Sequence, residues 1–273
     1  MSDSTSASAS LERVALCIEY NGSCYSGWQA QKSPQVSTVQ ETVESALSEV
    51  ANQKIKVFCA GRTDAGVHAT AQIVHFDHSN ARPEDAWVRG GNSILPGSVS
   101  IRWAKQVREE FHARFTATAR RYRYIICNNS VKPALLHGLV TPHHRLLDAD
   151  AMHAAGQQLL GENDFTAYRG AACQSSTPMR EVKTLSVNRM DDFVILEIEA
   201  NAFLLHMVRN IAGVLMEIGE GDKPVSWAGE LLALKDRTQG GVTALPDGLY
   251  LVNVSYPAEF ELPPVPQGPN FLV

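Results

Sequence analysis

The chain has 273 residues and a formal net charge of −5, with 44% hydrophobic and 19% charged residues. This composition can fill the core of one large domain or two small ones, and it excludes an intrinsically disordered chain. No apolar stretch is long enough to cross a bilayer, and residues 1–10 lack the basic and apolar regions of a signal peptide, so we expect a cytoplasmic protein without a membrane partner.

Strand and helix patterns alternate through the first half of the chain. Alternating apolar side chains predict a strand at 13–20. Thr38 and Glu41 form a capping box at the start of a predicted helix at 38–50. Further along, the patterns predict strands at 54–60, 71–76 and 99–107 and a helix that begins at Pro83.

The second half follows the same alternation. In order, the patterns predict a strand at 121–127, a helix at 149–160, a hairpin of strands at 182–188 and 193–199, helices at 202–218 and 227–234, and a strand at 248–256. We therefore predict an α+β protein of two consecutive halves, whose largely antiparallel mixed sheets meet at a central cleft. The predicted divisions are a disordered Ser/Ala-rich tail at 1–10, an N-terminal domain at 11–112, a C-terminal domain at 113–256 and a Pro-rich tail at 257–273.

A basic stretch interrupts this acidic chain. Seven Lys and Arg residues and two glutamates lie between Arg102 and Arg123. Such a stripe suits a bound polyanion, and Arg114, Arg120, Arg121 and Arg123 are its candidate RNA contacts. The alternative is a solvated face of a strand pair that binds nothing.

The segment GRTDAGVHA at 61–69 carries more chemistry than a connection between two strands requires. On an extended backbone, Arg62 and Asp64 would share one face. A guanidinium beside a carboxylate keeps it ionised and fixes its orientation, so Asp64 could act as a nucleophile or a base. The alternative is an ordinary turn, in which Asp64 caps backbone amides and a glycine takes a positive φ angle.

Two further side chains could complete such a site. Tyr122 lies on the predicted strand face opposite Arg121 and Arg123, where it could stack on a base; alternatively it is a packed core tyrosine. Arg209 interrupts an apolar helix, where a charge is costly unless it is paired. Asp64 is its natural partner, although Arg209 could instead extend to the surface.

These segments together resemble the tRNA pseudouridine synthase A family, over about residues 11–256. The resemblance rests on GRTDAGVHA and on five other segments in the same order: FHARF at 111–115, ATARRYRY at 117–124, GENDF at 161–165, FLLHMVRN at 203–210 and GLYL at 248–251. It implies the pseudouridine synthase fold and a homodimer in which each tRNA contacts both subunits. The implied reaction converts uridine to pseudouridine in the tRNA anticodon stem-loop, at positions 38, 39 and 40.

The resemblance also implies a role for each matching residue. Asp64 takes the place of the catalytic aspartate, and Arg62 that of an arginine that assists base flipping. Tyr122 matches a tyrosine that stacks near the target base, Arg209 the arginine that pairs with the catalytic carboxylate, and Leu249 an apolar contact to the uracil. His68 is a further candidate RNA contact. One departure is Leu205, which stands where some members carry a histidine.

The chemistry that this reaction requires agrees with the residues present. Uracil is detached, rotated and reattached through C5 without oxidation, so we expect no cofactor; the sequence contains no Rossmann fingerprint and no P-loop for a nucleotide cofactor. Asp64 could attack the sugar covalently or remove a ribose proton, and the sequence leaves both mechanisms open.

Two other functions compete with this prediction. The first is an RNA-binding or RNA-folding protein without catalytic activity. The second is a metal-dependent hydrolase that uses Asp64 and His68, with His75 as a third ligand. No helical H-E-x-x-H motif and no C-x-x-C pair is present, so we predict no metal site.

Overall fold

The computed structural model describes residues 11–31, 36–80, 82–265 and 268–272. Its strands are β1 (Glu12–Tyr20), β2 (Phe58–Cys59), β3 (His68–His78), β4 (Val99–Val107), β5 (Ala119–Asn128), β6 (Thr141–His143), β7 (Gly161–Asp164), β8 (Met179–Met190), β9 (Phe193–Ala200) and β10 (Leu249–Ser255). Its helices are α1 (Val39–Ala51), α2 (Glu84–Ile94), α3 (Ala149–Gln157), α4 (Met207–Gly219) and α5 (Trp227–Leu234). The predicted disordered tail at 1–10 lies outside the described residues.

The strands form one sheet that runs through both halves of the chain. Its order is β4-β1-β3-β10-β5-β9-β8-β7, with β2 paired to β3 and β6 paired to β5. Among the described residues, all pairings are antiparallel except those of β10 with β3 and of β5 with β6. The predicted α+β class with a largely antiparallel sheet is therefore confirmed, and the sheets of the two halves are joined edge to edge.

Strand β10 makes this connection. It pairs in parallel with β3, where Tyr250 faces His68, and antiparallel with β5, where Leu251 faces Tyr122. The loop that precedes β3 therefore lies close to the start of β10 and to the middle of β5. These three segments carry most of the predicted site residues.

The helices cover the sheet with their apolar faces. Thr38 caps α1 as predicted: its hydroxyl accepts the backbone N–H of Glu41 and donates to the Glu41 carboxylate. Helix α2 packs on β4 and on α1, while α3 packs on β8 and α4 packs on α3 and β5. Helix α4 is buried along most of its length, which fixes its first turn relative to the sheet. A membrane-spanning helix is absent from the part of the chain that the structure describes.

Several predicted elements have different bounds in the structure. Only Phe58 and Cys59 of the predicted strand at 54–60 pair with a neighbouring strand, because the backbone N–H groups of Ile55 and Val57 donate instead to side chains of α1. The predicted helix at 202–218 begins only at Met207, since His206 adopts a left-handed conformation with a φ of 59°. Strand β3 begins at His68, earlier than predicted, and therefore includes the end of the segment at 61–69.

Part of the predicted Pro-rich tail lies against the sheet. The carbonyl of Gly268 accepts a hydrogen bond of 2.9 Å from Arg123. The Phe271 ring lies edge-on to Tyr250, with 6.2 Å between the ring centroids. The described residues beyond Tyr256 thus help to cover the face of the sheet that carries Arg123.

Candidate active site

Asp64 lies in the loop between β2 and β3, and this loop is fixed by its neighbours. The backbone N–H of Trp28 donates to the Thr63 carbonyl at 3.0 Å, and the hydroxyls of Tyr20 and Thr63 are 2.7 Å apart. Gly27 has a φ of 95°, and a Cβ there would lie 2.8 Å from the Thr63 carbonyl oxygen. A glycine at this position is therefore what allows the chain to pass so close to Asp64.

The structure brings Asp64 and Arg209 together across the two halves of the chain. Arg209 Nη1 lies 3.4 Å from Asp64 Oδ2, and Arg209 Nε donates to the Ala244 carbonyl at 2.8 Å. The Asp64 side chain is 29% exposed and that of Arg209 only 15%. The carboxylate is thus oriented from one side and accessible from the other.

His206 is a second partner of Asp64 that the sequence analysis missed. Its Nε2 atom lies 3.4 Å from Asp64 Oδ2. His206 adopts a left-handed backbone conformation immediately before α4, three residues before Arg209. The spacing of His206 and Arg209 at the start of a helix was a usable signal, since residues three apart lie on the same side of a helix.

Arg62 does not have the predicted relationship to Asp64. The loop is not an extended strand, and the described residues contain no ion pair between these two side chains; the ion-pair partners of Asp64 there are Arg209 and His206. Arg62 is exposed and lines the cavity beside Asp64. The prediction that Arg62 orients the carboxylate is therefore wrong, and its position leaves it free to contact a ligand.

Tyr122 and Leu249 form an apolar wall near Asp64. Tyr122 is 8% exposed and Leu249 is 6% exposed. The Phe203 ring packs edge-on against Tyr122, with 5.0 Å between centroids. Burial raises the pKa of Tyr122 far above its ordinary value, so its phenol stays protonated and contributes no charge.

One cavity connects these residues. It has a volume of about 1010 Å³ and is lined by Asp64, Tyr122, Leu249, Arg62 and Arg209, together with residues from both halves of the chain. Small-molecule sites usually measure about 300–1,000 Å³. This cavity is therefore larger than one nucleobase requires. Leu205, the departure from the family pattern, lines it as well.

The cavity is basic although the chain is acidic. Its described lining includes six cationic side chains and two carboxylates; the cations are Lys56, Arg62, Arg114, Arg120, Arg180 and Arg209, and the carboxylates are Glu44 and Asp64. The Arg120 guanidinium donates to the carbonyls of Ala60 and Asn201 at 3.0 Å each, so it stiffens the wall. Arg114 is exposed. A basic cavity of this kind suits a polyanionic substrate.

Arg121 and Arg123 lie on the opposite face of β5 from Tyr122. Arg121 pairs with Glu199 at 2.8 Å, and Arg123 pairs with Glu197 at 2.6 Å. Their charges are thus compensated within the protein, outside the cavity. The structure does not support the prediction that these two residues contact RNA.

His68 is buried rather than exposed to a ligand. It is 1% exposed, its Nδ1 accepts the N–H of Gly22 at 3.0 Å, and its Nε2 lies 3.1 Å from the Asp247 carbonyl oxygen. Its ring stacks on Tyr250 with 4.6 Å between centroids, and burial lowers its pKa. His68 therefore anchors the start of β10, which corrects its prediction as an RNA contact.

The candidate metal ligands have other partners in the structure. Within the described ranges, no three His, Cys, Asp or Glu side chains are arranged to hold a metal ion. Both ring nitrogens of His68 already have protein partners. His75, the other candidate ligand, accepts the N–H of Ala113 at 3.1 Å through its Nδ1.

Comparison with known proteins gives a consistent result. A family model described as tRNA pseudouridine synthase matches residues 16–116 and 155–257. The chain is 57% identical over 260 residues to a tRNA pseudouridine synthase A of Cronobacter sakazakii, covering 95% of this chain and 96% of that protein. It is 56% identical over 260 residues to the Aliivibrio fischeri protein of the same name (95% and 98% covered) and 55% identical over 261 residues to one from a Shewanella species (96% and 99% covered).

Proposed function

Since this chain belongs to the tRNA pseudouridine synthase A family, we propose that it isomerises uridines of the tRNA anticodon stem-loop, at positions 38, 39 and 40, with Asp64 as the catalytic carboxylate. The observation that carries this proposal is the contact of Asp64 with Arg209 at 3.4 Å inside a basic cavity. The carboxylate is accessible, is oriented by Arg209 and lies next to an apolar wall. A reaction on a flipped base requires these three features.

The reaction breaks the bond between uracil N1 and ribose C1′ and forms a bond between C5 and C1′. The proton on C5 is released and N1 gains a proton, so the uracil keeps all its heavy atoms and no electrons are exchanged. Asp64 would either attack the sugar or remove a ribose proton. Both routes need a carboxylate of fixed orientation, and the contacts of Asp64 with Arg209 and His206 supply that orientation.

Tyr122 and Leu249 would hold the uracil after it leaves the helix. Flipping a base out of a stem costs a few kcal/mol, and stacking on an aromatic ring returns about 1–3 kcal/mol. Because the phenol of Tyr122 stays protonated, it can support the neutral uracil without repelling phosphates. Arg62, exposed at the same cavity, would assist the flipping.

The remaining parts of the proposal concern the surroundings of the site. Arg114 and Arg120 would line the path of the RNA backbone. A homodimer would extend the basic surface to a second part of the tRNA, and the reaction would take place in the cytoplasm. Residues 11–112 and 113–256 would be the two domains that contribute to the cavity.

The decisive experiment measures tritium release from tRNA transcripts labelled at uridine C5. Asp64→Asn should abolish release and keep RNA binding, because the amide retains the shape of the carboxylate and loses its charge. Asp85→Asn is the matched control, since Asp85 is exposed and paired with Arg89 on α2. Replacing the uridines at positions 38, 39 and 40 one at a time tests the site preference.

Three outcomes would contradict the proposal. Release by folded Asp64→Asn at the wild-type rate would remove the catalytic role of Asp64. Loss of release on addition of EDTA, with an RNA that stays folded, would show that the reaction needs a metal ion. Tight RNA binding by wild-type protein without any release would favour the RNA-binding protein without catalytic activity.

A further inference from the structure

Two exposed phenylalanines lie at the cavity that contains Asp64. Phe58 is 55% exposed and Phe115 is 75% exposed, and both line the cavity of about 1010 Å³. They come from different parts of the chain, since Phe58 belongs to β2 and Phe115 to the turn before β5. Large apolar side chains exposed next to each other in a cleft often mark a binding surface.

His112 joins the two phenylalanines into a continuous aromatic surface, here called the aromatic platform (Phe58, His112 and Phe115). The His112 ring centroid lies 4.3 Å from that of Phe115 and 5.6 Å from that of Phe58. His112 Nδ1 accepts the backbone N–H groups of Arg114 and Phe115 at 3.1 and 3.3 Å. The turn therefore holds the exposed ring of Phe115 in a defined place.

Positive charge borders the aromatic platform. The Arg114 guanidinium carbon lies 5.6 Å from the centroid of the Phe115 ring. Lys56, which precedes Phe58 by two residues, lines the same cavity. In the parts of the chain that the structure describes, Arg114 has no carboxylate partner. Aromatic rings interleaved with unpaired cations are typical of surfaces that bind single-stranded nucleic acid.

We propose that the aromatic platform is a second nucleobase site, on which an unpaired loop base of the substrate RNA stacks while the target uridine occupies the site at Asp64. This inference rests on the proposed function, which supplies an RNA with an unpaired loop. The volume of the cavity exceeds the needs of one base, and its cations match the phosphates that connect two nucleotides. A second copy of the chain is a less fitting occupant, because the cationic border would face an identical border in a symmetric contact.

A cycle of protein and RNA changes tests this assignment. Fluorescein-labelled anticodon stem-loop RNAs carry one abasic nucleotide at each loop position other than the target uridine, and their dissociation constants are measured by anisotropy. With wild-type protein, one abasic position should weaken binding by roughly 5- to 150-fold, the usual loss when one stacked base is removed. Phe115→Leu should weaken binding of the unmodified RNA by a similar factor and show no further loss at that abasic position.

The controls keep the result specific. Phe115→Tyr retains a ring and should restore the sensitivity to the abasic position. Leu135→Ala removes a side chain that is 97% exposed and outside the cavity, and it should bind all the RNAs like wild type. Equal binding of unmodified RNA by wild type and Phe115→Leu would overturn the proposal. So would a change from dimer to monomer in Phe115→Leu, measured by sedimentation, without a loss of RNA affinity.

The outcome is separable from that of the proposed function. Tritium release by wild-type protein without any position-specific effect of an abasic nucleotide would leave the synthase proposal intact and refute the aromatic platform. Position-specific binding without tritium release would do the opposite.

Discussion

At the scale of single residues, the site is defined by what surrounds one carboxylate oxygen. Arg209 and His206 both lie 3.4 Å from Asp64 Oδ2, but they differ in how firmly they are held. Arg209 is also fixed by the Ala244 carbonyl, whereas the His206 side chain is 36% exposed. Arg209 should therefore contribute more to the orientation of Asp64 than His206 does.

Replacing Arg209 with Gln should lower the single-turnover rate of tritium release by roughly 10- to 150-fold, since a hydrogen bond to a charged group is worth about 1.5–3 kcal/mol. His206→Gln keeps a side-chain N–H donor at the exposed position and should cost less than about 10-fold in the same assay. Circular dichroism checks that both variants fold. A larger effect of His206→Gln than of Arg209→Gln would contradict this ranking.

His75 contributes a pH dependence to folding. It is 2% exposed, and its burial lowers its pKa from 6.5 to about 4. Between these values the unfolded chain binds a proton that the folded protein does not. The free energy of unfolding is therefore at its full value above about pH 6.5, and the contribution of His75 is lost as the pH falls towards 4.

Urea unfolding should show this effect directly. Between about pH 7 and pH 4.5, His75 should account for roughly 2 kcal/mol of the fall in unfolding free energy. The variant His75→Asn keeps an acceptor for the Ala113 N–H and does not titrate, so its unfolding free energy should fall by that much less over the same range. Parallel curves for the two proteins would show that His75 does not carry the effect.

At the scale of elements, sequence periodicity predicted the bounds of those strands and helices that have clear stop signals at both ends. The strand at 99–107 and the helix at 227–234 have the predicted bounds, because each shows its periodicity between clear stop signals. The strand at 54–60 was predicted from alternation alone, yet only two of its residues find a partner strand. Alternation shows which side chains can be buried, and the pairing depends on β3, which lies further along the chain.

The site was predictable to a similar degree. Asp64, Tyr122, Arg209 and Leu249 do meet at one cavity, as the motifs indicated. The orientation of Arg62 and the contact of His206 with Asp64 depend on the irregular loop at 60–67 and on the late start of α4. Neither backbone path has a periodic signal in the sequence.

Gly213 in α4 sets the distance between this helix and the segment at 242–244, whose backbone binds the Arg209 side chain. A Cβ at Gly213 would lie 1.9 Å from the Val242 carbonyl oxygen. The same segment continues to Ala244, whose carbonyl accepts from Arg209 and whose N–H donates to the Arg209 carbonyl at 3.1 Å. Any side chain at position 213 therefore has to displace the backbone that orients Arg209.

Gly213→Ala should destabilise the protein by roughly 1–3 kcal/mol through overpacking, although alanine is the better helix former by about 1 kcal/mol. It should also slow tritium release, since Arg209 shifts with the displaced segment. Gly97→Ala is the control, because no atom of the described residues lies within 4 Å of a Cβ there, and it should change stability by less than about 0.5 kcal/mol. Unchanged stability and activity in Gly213→Ala would refute this account of α4.

At the scale of the whole molecule, unpaired positive charge lies on the cavity face of β5, and paired charge lies on its opposite face. The net charge is −5, yet the cations of the cavity outnumber its carboxylates. On the opposite face of β5, Arg121 and Arg123 are paired with Glu199 and Glu197. Attraction of RNA should therefore depend on the cavity face alone.

The salt dependence of RNA binding can separate the two faces. Arg114→Gln should reduce the slope of log affinity against log salt by about 0.7–0.9, the contribution of one phosphate contact. Arg121→Gln removes a charge of the same kind from the paired face and should leave the slope unchanged. The slopes are measured by anisotropy with a labelled anticodon stem-loop over a series of KCl concentrations. Equal reductions of the slope in both variants would contradict the claim that RNA is attracted by the cavity face alone.

The position of β10 has a consequence for the synthesis of the protein. This strand follows every other strand and helices α1 to α5 along the chain, yet it lies between β3 and β5 in the sheet. While a ribosome is still translating the preceding residues, β3 and β5 both have an open edge, and Leu249 is missing from the cavity wall. We therefore expect nascent chains to be inactive on RNA until β10 emerges, and until then the unpaired parts of these two strand edges are open to aggregation.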